Sequence, residues 1–370
     1  MRIVQVANFV TPSCGGLRTT LQQLAQGYAA RGHEVVQVLP GPHDEQRDMP
    51  WGRQVLLRAP AIPGTGYRLM LEPKKVQRAL GWLAPEALEV HDRTTLRGLG
   101  SWAHREGVPS LVVSHERLDR WMGQWVSPML VPLDALADRS NAALAAAFGT
   151  VVCTTSWAGQ EFRRVHADNL VTIPLGVDLT QFAPRLSARP AGGVVLVMVS
   201  RLSREKRPEL AIDALREMRR RGIPARLVVA GDGPMRKDLA ARARGLPVHW
   251  CGFVQDRADL ASLLSAADVV LAPGPVESFG LAALEAMSCG VPAIGTRVGG
   301  VMELITDGED GFVEAVGDVA GQAARAVQLL TDEGLHGRMA AAARNTALTR
   351  FCTEKIIPMY EDYYRDVLGR

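Results

Sequence analysis

The chain has 370 residues, more than one ordinary core accommodates and suited to two domains of similar size. Its composition, 47% hydrophobic with 5% aromatic residues and 36 glycines, fits a Val/Leu/Ala-rich α/β protein and excludes a disulfide scaffold. The net charge of +3, with nine basic and four acidic residues from Arg53 to Arg105, is too weak for a nucleic-acid footprint but suits an anionic membrane surface.

The five cysteines, Cys14, Cys153, Cys251, Cys289 and Cys352, are scattered and odd in number, with no C-x-x-C or Cys/His cluster. Free thiols in a reducing cytosol and no structural zinc are therefore expected. The opening Met1-Arg2-Ile3-Val4-Gln5-Val6 reads as strand rather than leader, and no run of about 18 apolar residues suggests a membrane span. The expectation is a cytoplasmic protein, with peripheral contact at the inner face of the plasma membrane.

In chain order, Ile3–Ala7 predicts a strand, Thr11–Gly16 a Gly-bearing loop, Leu17–Arg31 a helix and Glu34–Leu39 a second strand. The Gly15-Gly16 turn lets backbone approach a ligand, but it lacks the G-x-G-x-x-G spacing and any Gly-Lys-Ser/Thr. Pro40–Pro73 is irregular, with strand-like Gln54–Arg58. Lys74, Lys75 and Arg78 interleave with Val76, Leu80, Trp82 and Leu83, which fits a surface helix or an interfacial membrane contact. Leu111–Val113 delivers His115 to a carboxyl strand end, where active-site groups of such sheets gather, although a lone His there is more often structural. Val151–Thr154 is another strand, with Ser156 as a helix N-cap.

Phe182–Gly193 is rich in breakers and reads as a linker. A second α/β pattern starts at Val194–Val199, continues through Arg226–Ala230, Val248–Val254, Asp268–Ala272 and Val291–Thr296, and closes on a helix over Ile356–Leu368. Two tandem doubly wound domains are expected, residues 1–185 and 186–355, with 356–370 packing back on the first. Past the first strand of the second domain lie Arg201 and Lys206. Past Asp268–Ala272 come Glu277, a Gly280 turn and a helix over Leu281–Met287 carrying Glu285. Taken singly the two acids fit a capping residue and a surface residue. Two cations beside a Gly-led helix start make a phosphate site, and acids nearby suit sugar hydroxyls.

The set Gly15-Gly16, His115, Arg201-Leu202 with Glu205-Lys206, Gly231-Asp232-Gly233-Pro234 and Glu277-x7-Glu285 with Phe279-Gly280 resembles glycosyltransferase family 4, whose members retain anomeric configuration. Within it, Val4–Phe9, Gly15–Thr19 and Ser114–Arg120 are most similar to actinobacterial GDP-mannose-dependent phosphatidylinositol mannoside α-mannosyltransferases. The resemblance implies the GT-B fold, two Rossmann-like domains facing a central cleft. It implies a hexosyl, most simply α-mannosyl, transfer from GDP-mannose to a lipid or glycolipid acceptor, with no metal or other cofactor.

By the same resemblance Gly15 and Gly16 meet the donor β-phosphate, and Arg201 and Lys206 neutralise the diphosphate. Glu277 and the Ser278, Phe279, Gly280 and Leu281 segment hold the sugar, Glu285 the ribose, and Val254 and Asp256 the base. His115 meets the transferred sugar or the acceptor. Alternatives are a soluble acceptor (a thiol-sugar, polysaccharide or natural product), another donor, a sugar-nucleotide epimerase of the same fold, or a non-catalytic sensor.

Overall fold

The computed structural model describes residues 1–11, 15–63, 65–123, 131–185 and 193–368, so Cys14, half of the Thr11–Gly16 loop and the middle of the expected linker lie outside the described residues. The chain divides into one unit of Met1–Gly176 with Thr353–Arg370, and another of Val177–Cys352.

The first unit is built on an eight-stranded sheet. Its strands are β1 (Arg2–Val6), β2 (Glu34–Gly41), β3 (Glu45–Met49), β4 (Gly52–Arg58), β5 (Ala87–Val90), β6 (Ser110–Ser114), β7 (Thr150–Cys153) and β8 (Leu170–Thr172). They lie in the order β3-β4-β2-β1-β5-β6-β7-β8, parallel throughout except for the antiparallel β3–β4 pair. Strand side chains alternate between faces, and here both faces are covered, so the inner strands are apolar on each side. Val4, Val6, Val36, Val38, Leu88 and Val90 fill one core. Ile3, Val35, Ala87, Leu111 and Val113 fill the other, closed by helix Gly16–Ala30 and the terminal helix Thr353–Leu368.

That terminal helix presents Ile356, Ile357, Tyr360 and Tyr364, at helical spacing, to Leu24, Ala25 and Tyr28. Met359 of the same helix is exposed. The N-cap of helix Ser156–Arg163 is Thr155, one residue before the expected Ser156, and its hydroxyl accepts from Ala158 N at 3.0 Å.

The second unit holds six parallel strands, β9 (Val194–Val199), β10 (Ala225–Ala230), β11 (Val248–Gly252), β12 (Val269–Leu271), β13 (Ala293–Thr296) and β14 (Gly311–Glu314), in the order β11-β10-β9-β12-β13-β14. The order reverses between β9 and β12, which is where an open α/β sheet leaves a crevice at its carboxyl edge.

Phe182, read from sequence as the start of a linker, is fully buried in this unit. Its carbonyl accepts from Ser288 Oγ at 2.6 Å and Arg344 Nη1 at 2.9 Å, and Val177 N donates to Phe351 O at 2.8 Å. Those bonds place Val177–Arg185 with the second unit and put the divisions after Gly176 and Cys352 rather than after 185 and 355.

Candidate functional site

At the reversal between β9 and β12 the chain leaving β9 runs through Ser200, Arg201 and the fully buried Leu202 into a short 3-10 turn, Arg204–Lys206. The Gly231–Pro234 loop is laid directly on this backbone. Leu202 N donates to Asp232 O at 3.0 Å and Met235 N to Leu202 O at 3.0 Å. A Cβ at Gly231, where φ is +142°, would lie 1.9 Å from Ser200 O, so only glycine permits the approach. The consequence is an exposed Arg201 and a half-buried Lys206 fixed at the sheet edge.

Leaving β12, the chain reaches Glu277. Lys206 Nζ lies 2.6 Å from Glu277 Oε2, and Gly280 N donates to the other oxygen, Oε1, at 3.3 Å. Gly280 is left-handed (φ +99°) and opens helix Leu281–Ser288 with no side-chain cap, so its first N–H groups are unclaimed by a capping side chain. Gly300 N donates to Glu277 O at 2.7 Å, and a Cβ at Gly300 would sit 1.8 Å from Ser278 O. Gly299-Gly300 therefore clamps the acidic loop. Phe279 is buried edge-to-face against Phe351 at 5.8 Å, which leaves the loop's backbone rather than this ring facing outward. Leu281 is half-buried and Leu284 fully buried.

Glu285 is almost fully buried and ion-paired with Arg257, whose guanidinium stacks over the Phe182 ring at 4.6 Å. Burial pushes the Glu285 carboxyl up, and Arg257 opposes that. Arg257 was not singled out from sequence, because nothing local links residues 28 apart. β11 ends at Gly252, so Val254 lies in a loop rather than in the expected strand. Asp256 is exposed and serves as the N-cap of helix Arg257–Ser265, its Oδ1 accepting from Ala258 N at 2.6 Å and Asp259 N at 3.4 Å.

In the first unit, Gly15 is the N-cap of helix Gly16–Ala30 with an ordinary φ of −74°. A Cβ at Gly15 or Gly16 would meet nothing within 4 Å, so neither glycine is demanded by the chain's own packing. His115 follows β6, and His91 follows the adjacent β5. Their rings stack at 5.2 Å, with His91 Nδ1 2.9 Å from His115 Nε2. Burial first, with neighbouring His91 second, holds the His115 imidazole down at about 3. Behind them Glu89, fully buried, receives Gln5 Nε2 at 2.7 Å, Tyr28 OH at 2.5 Å and Tyr364 OH at 2.6 Å.

The His115 loop is pinned by Arg93, which donates to Ser114 Oγ at 2.9 Å and Glu116 O at 2.8 Å. Arg117 binds Asp119 through two nitrogens at 3.0 and 2.6 Å. Although burial acts the other way, hydrogen bonds from Arg117 and Arg164 hold the Asp119 carboxyl at about 2. Glu89, His91 and Arg93 escaped the sequence reading. The available signal was an acid inside a buried strand with a histidine two residues on, on the same face.

The family models described as "Glycosyl transferase 4-like domain" and "Glycosyl transferases group 1" match residues 15–176 and 182–346. The chain is 47% identical over 318 residues to the GDP-mannose-dependent alpha-(1-6)-phosphatidylinositol dimannoside mannosyltransferase of Mycobacterium tuberculosis, covering 83% of this chain and 82% of that protein. It is 39% identical over 175 residues to the N-acetyl-alpha-D-glucosaminyl L-malate synthase of Bacillus anthracis, covering 47% and 46%. The structure of sucrose-phosphate synthase from Thermosynechococcus elongatus superposes with a TM-score of 0.82 at 24% identity, over 100% of this chain and 99% of that one. The chain belongs to glycosyltransferase family 4 and carries the GT-B fold.

Proposed function

We propose that this glycosyltransferase moves an α-mannosyl group from GDP-mannose to a phosphatidylinositol mannoside at the cytoplasmic face of a membrane. The observation that carries the reading is the 47% identity, across most of both chains, to an enzyme named for that donor and that acceptor class.

The second unit supplies the donor chemistry. Lys206 and Glu277 neutralise each other at 2.6 Å and are both partly exposed. An arriving donor exchanges that contact for two others: Lys206, with Arg201, meets the diphosphate, and Glu277 meets a hexose hydroxyl. The N–H groups from Ser278 to Leu281 bind the remaining donor oxygens. As the anomeric C1–O bond breaks, negative charge grows on the β-phosphate. Fixed cations stabilise it more in the transition state than before, so no metal is invoked.

The acceptor hydroxyl attacks from the face that the phosphate leaves. Its proton passes to the departing phosphate oxygen, and the new C1–O bond retains configuration. Trapping a covalent mannosyl-enzyme would contradict this front-side route. His115 contacts the transferred sugar or the acceptor, Gly15-Gly16 the β-phosphate, Val254 and Asp256 the guanine, and Glu285 the ribose once Arg257 yields it.

The lipid side rests on helix Pro73–Leu83, which buries Val76, Leu80 and Leu83 and turns Lys74, Arg78 and Trp82 outward. Trp82 is 62% exposed and nearby Leu71 56%. A basic, aromatic face of this kind seats at an anionic bilayer surface. Among the described residues no helix is long and apolar enough to cross a membrane. A soluble acceptor is the second reading, favoured by the identity to the N-acetyl-alpha-D-glucosaminyl L-malate synthase across 47% of the chain. Calorimetric titration with GDP-mannose, UDP-glucose and UDP-N-acetylglucosamine in chelator-containing buffer tests the donor. Tight binding of GDP-mannose alone is expected, and equal affinities would refute it.

A further inference from the structure

We propose that Glu89 and His91 are positioning residues that set the tautomer of His115, leaving it a neutral imidazole protonated at Nε2 with Nδ1 bare to accept a hydroxyl hydrogen bond. The proposal rests on the reading that His115 meets sugar or acceptor, and it adds how that histidine is prepared.

The chain of bonds runs outward from the buried middle of the sheet to its carboxyl edge. Gln37 Nε2 donates to Gln5 Oε1 at 3.0 Å, which fixes the Gln5 amide so that its NH2 faces Glu89, 2.7 Å from Oε2. Tyr28 OH and Tyr364 OH reach the other oxygen, at 2.5 and 2.6 Å. The two Glu89 oxygens thus accept from three side-chain donors, which suits a carboxylate that acts as an acceptor only. His91 Nε2, at 3.3 Å from Oε2, must then donate to it. A neutral His91 carries its one proton there, on Nε2.

A neutral ring with its proton on Nε2 has a lone pair on Nδ1. The 2.9 Å contact to His115 Nε2 is thus made by a His115 proton, and Nδ1 of His115 is left as an acceptor. Burial depresses the basicity of His115, which agrees with a ring that stays neutral. The relay draws on three adjacent strands (Gln5 on β1, Glu89 on β5, His115 after β6) and on Tyr364 of the terminal helix.

Nitrogen-15 spectra of histidine-labelled protein near neutral pH test this, with His91 and His115 assigned through His91→Asn and His115→Asn. The expected wild-type result is His115 protonated at Nε2 with an unprotonated Nδ1. Glu89→Gln presents an amide N–H to His91, so it should invert both tautomers and lower kcat about tenfold or more while donor KM stays within about threefold. Tyr364→Phe removes one donor without changing the acceptor and should leave the tautomer as in wild type. An Nδ1-protonated or doubly protonated His115 in the wild type overturns the proposal whether or not any variant folds, as does an unchanged tautomer in Glu89→Gln. The expected tautomers together with full activity in His115→Asn would instead refute the reading of His115 as a substrate contact and leave the relay standing.

Discussion

Lys206 Nζ and Glu277 Oε2 lie 2.6 Å apart at the reversal point of the second sheet, although 71 residues separate them in sequence. With side chains 25% and 29% exposed, the pair contributes little to stability, of the order of 1 kcal/mol or less. Its importance is that it keeps a cation and an acid ready at one edge.

Lys206→Ala and Glu277→Gln should therefore unfold within a few degrees of wild type yet lose well over tenfold in kcat/KM, because each removes a contact strengthened in the transition state. Thermal unfolding beside initial-rate kinetics checks both halves. Full turnover in Lys206→Ala would remove it from the phosphate site.

Arg257 and Glu285 present the opposite case. Removing Arg257 leaves a nearly buried carboxylate alone, so Arg257→Met should cost about 3 kcal/mol, with Arg257→Met/Glu285→Leu recovering much of it. The sign with pH follows from Glu285's raised folded value. The native state holds that proton more tightly than the unfolded state, so stability falls as pH rises above the unfolded value near 4.5. The Arg257→Met deficit should therefore grow with pH from there and shrink on acidification, as measured by urea denaturation across pH.

Asp256 carries two assignments that substitution can separate. Asp256→Ala should lose about 1 kcal/mol through the lost N-cap of helix Arg257–Ser265. Asp256→Ser keeps a capping oxygen and should keep stability, while losing preference for GDP over UDP if the carboxylate reads guanine. Unaltered nucleotide preference in Asp256→Ser would confine this residue to capping.

On helix Pro73–Leu83, reversing Lys74 and Arg78 to Glu together with Trp82→Ser should weaken co-sedimentation with anionic vesicles. Lys75 is not part of that face, since it binds Asp44 at 2.7 Å and the Arg58 carbonyl at 3.1 Å. Lys75→Glu should instead loosen the fold locally. Undiminished vesicle binding in the triple variant would return the face to an ordinary solvated surface.

What could be read from sequence was whatever repeats locally. The valine-rich runs at Val4–Val6, Val195–Met198 and Val269–Leu271 are buried on both faces and announce themselves. Strand β3, Glu-Gln-Arg-Asp-Met, carries no such pattern because it is a polar edge strand paired only with β4. Helix Glu333–Arg350 was equally silent, burying only Met339, Ala343 and Ala347 in 18 residues. The motif acids were visible, but their partners were not. Arg257 beside Glu285, and Glu89 behind His115, are joined by sheet register and helix packing that no local spacing encodes.

The most direct test of the account is transfer itself. Radiolabelled GDP-mannose and UDP-glucose, each offered with vesicles containing phosphatidylinositol dimannoside and with malate and inositol phosphate as soluble acceptors, separate donor and acceptor in one experiment. The account predicts label from GDP-mannose in the organic-extractable product, with the α configuration retained. Label passing only to a soluble acceptor, or passing equally well from UDP-glucose, would contradict it.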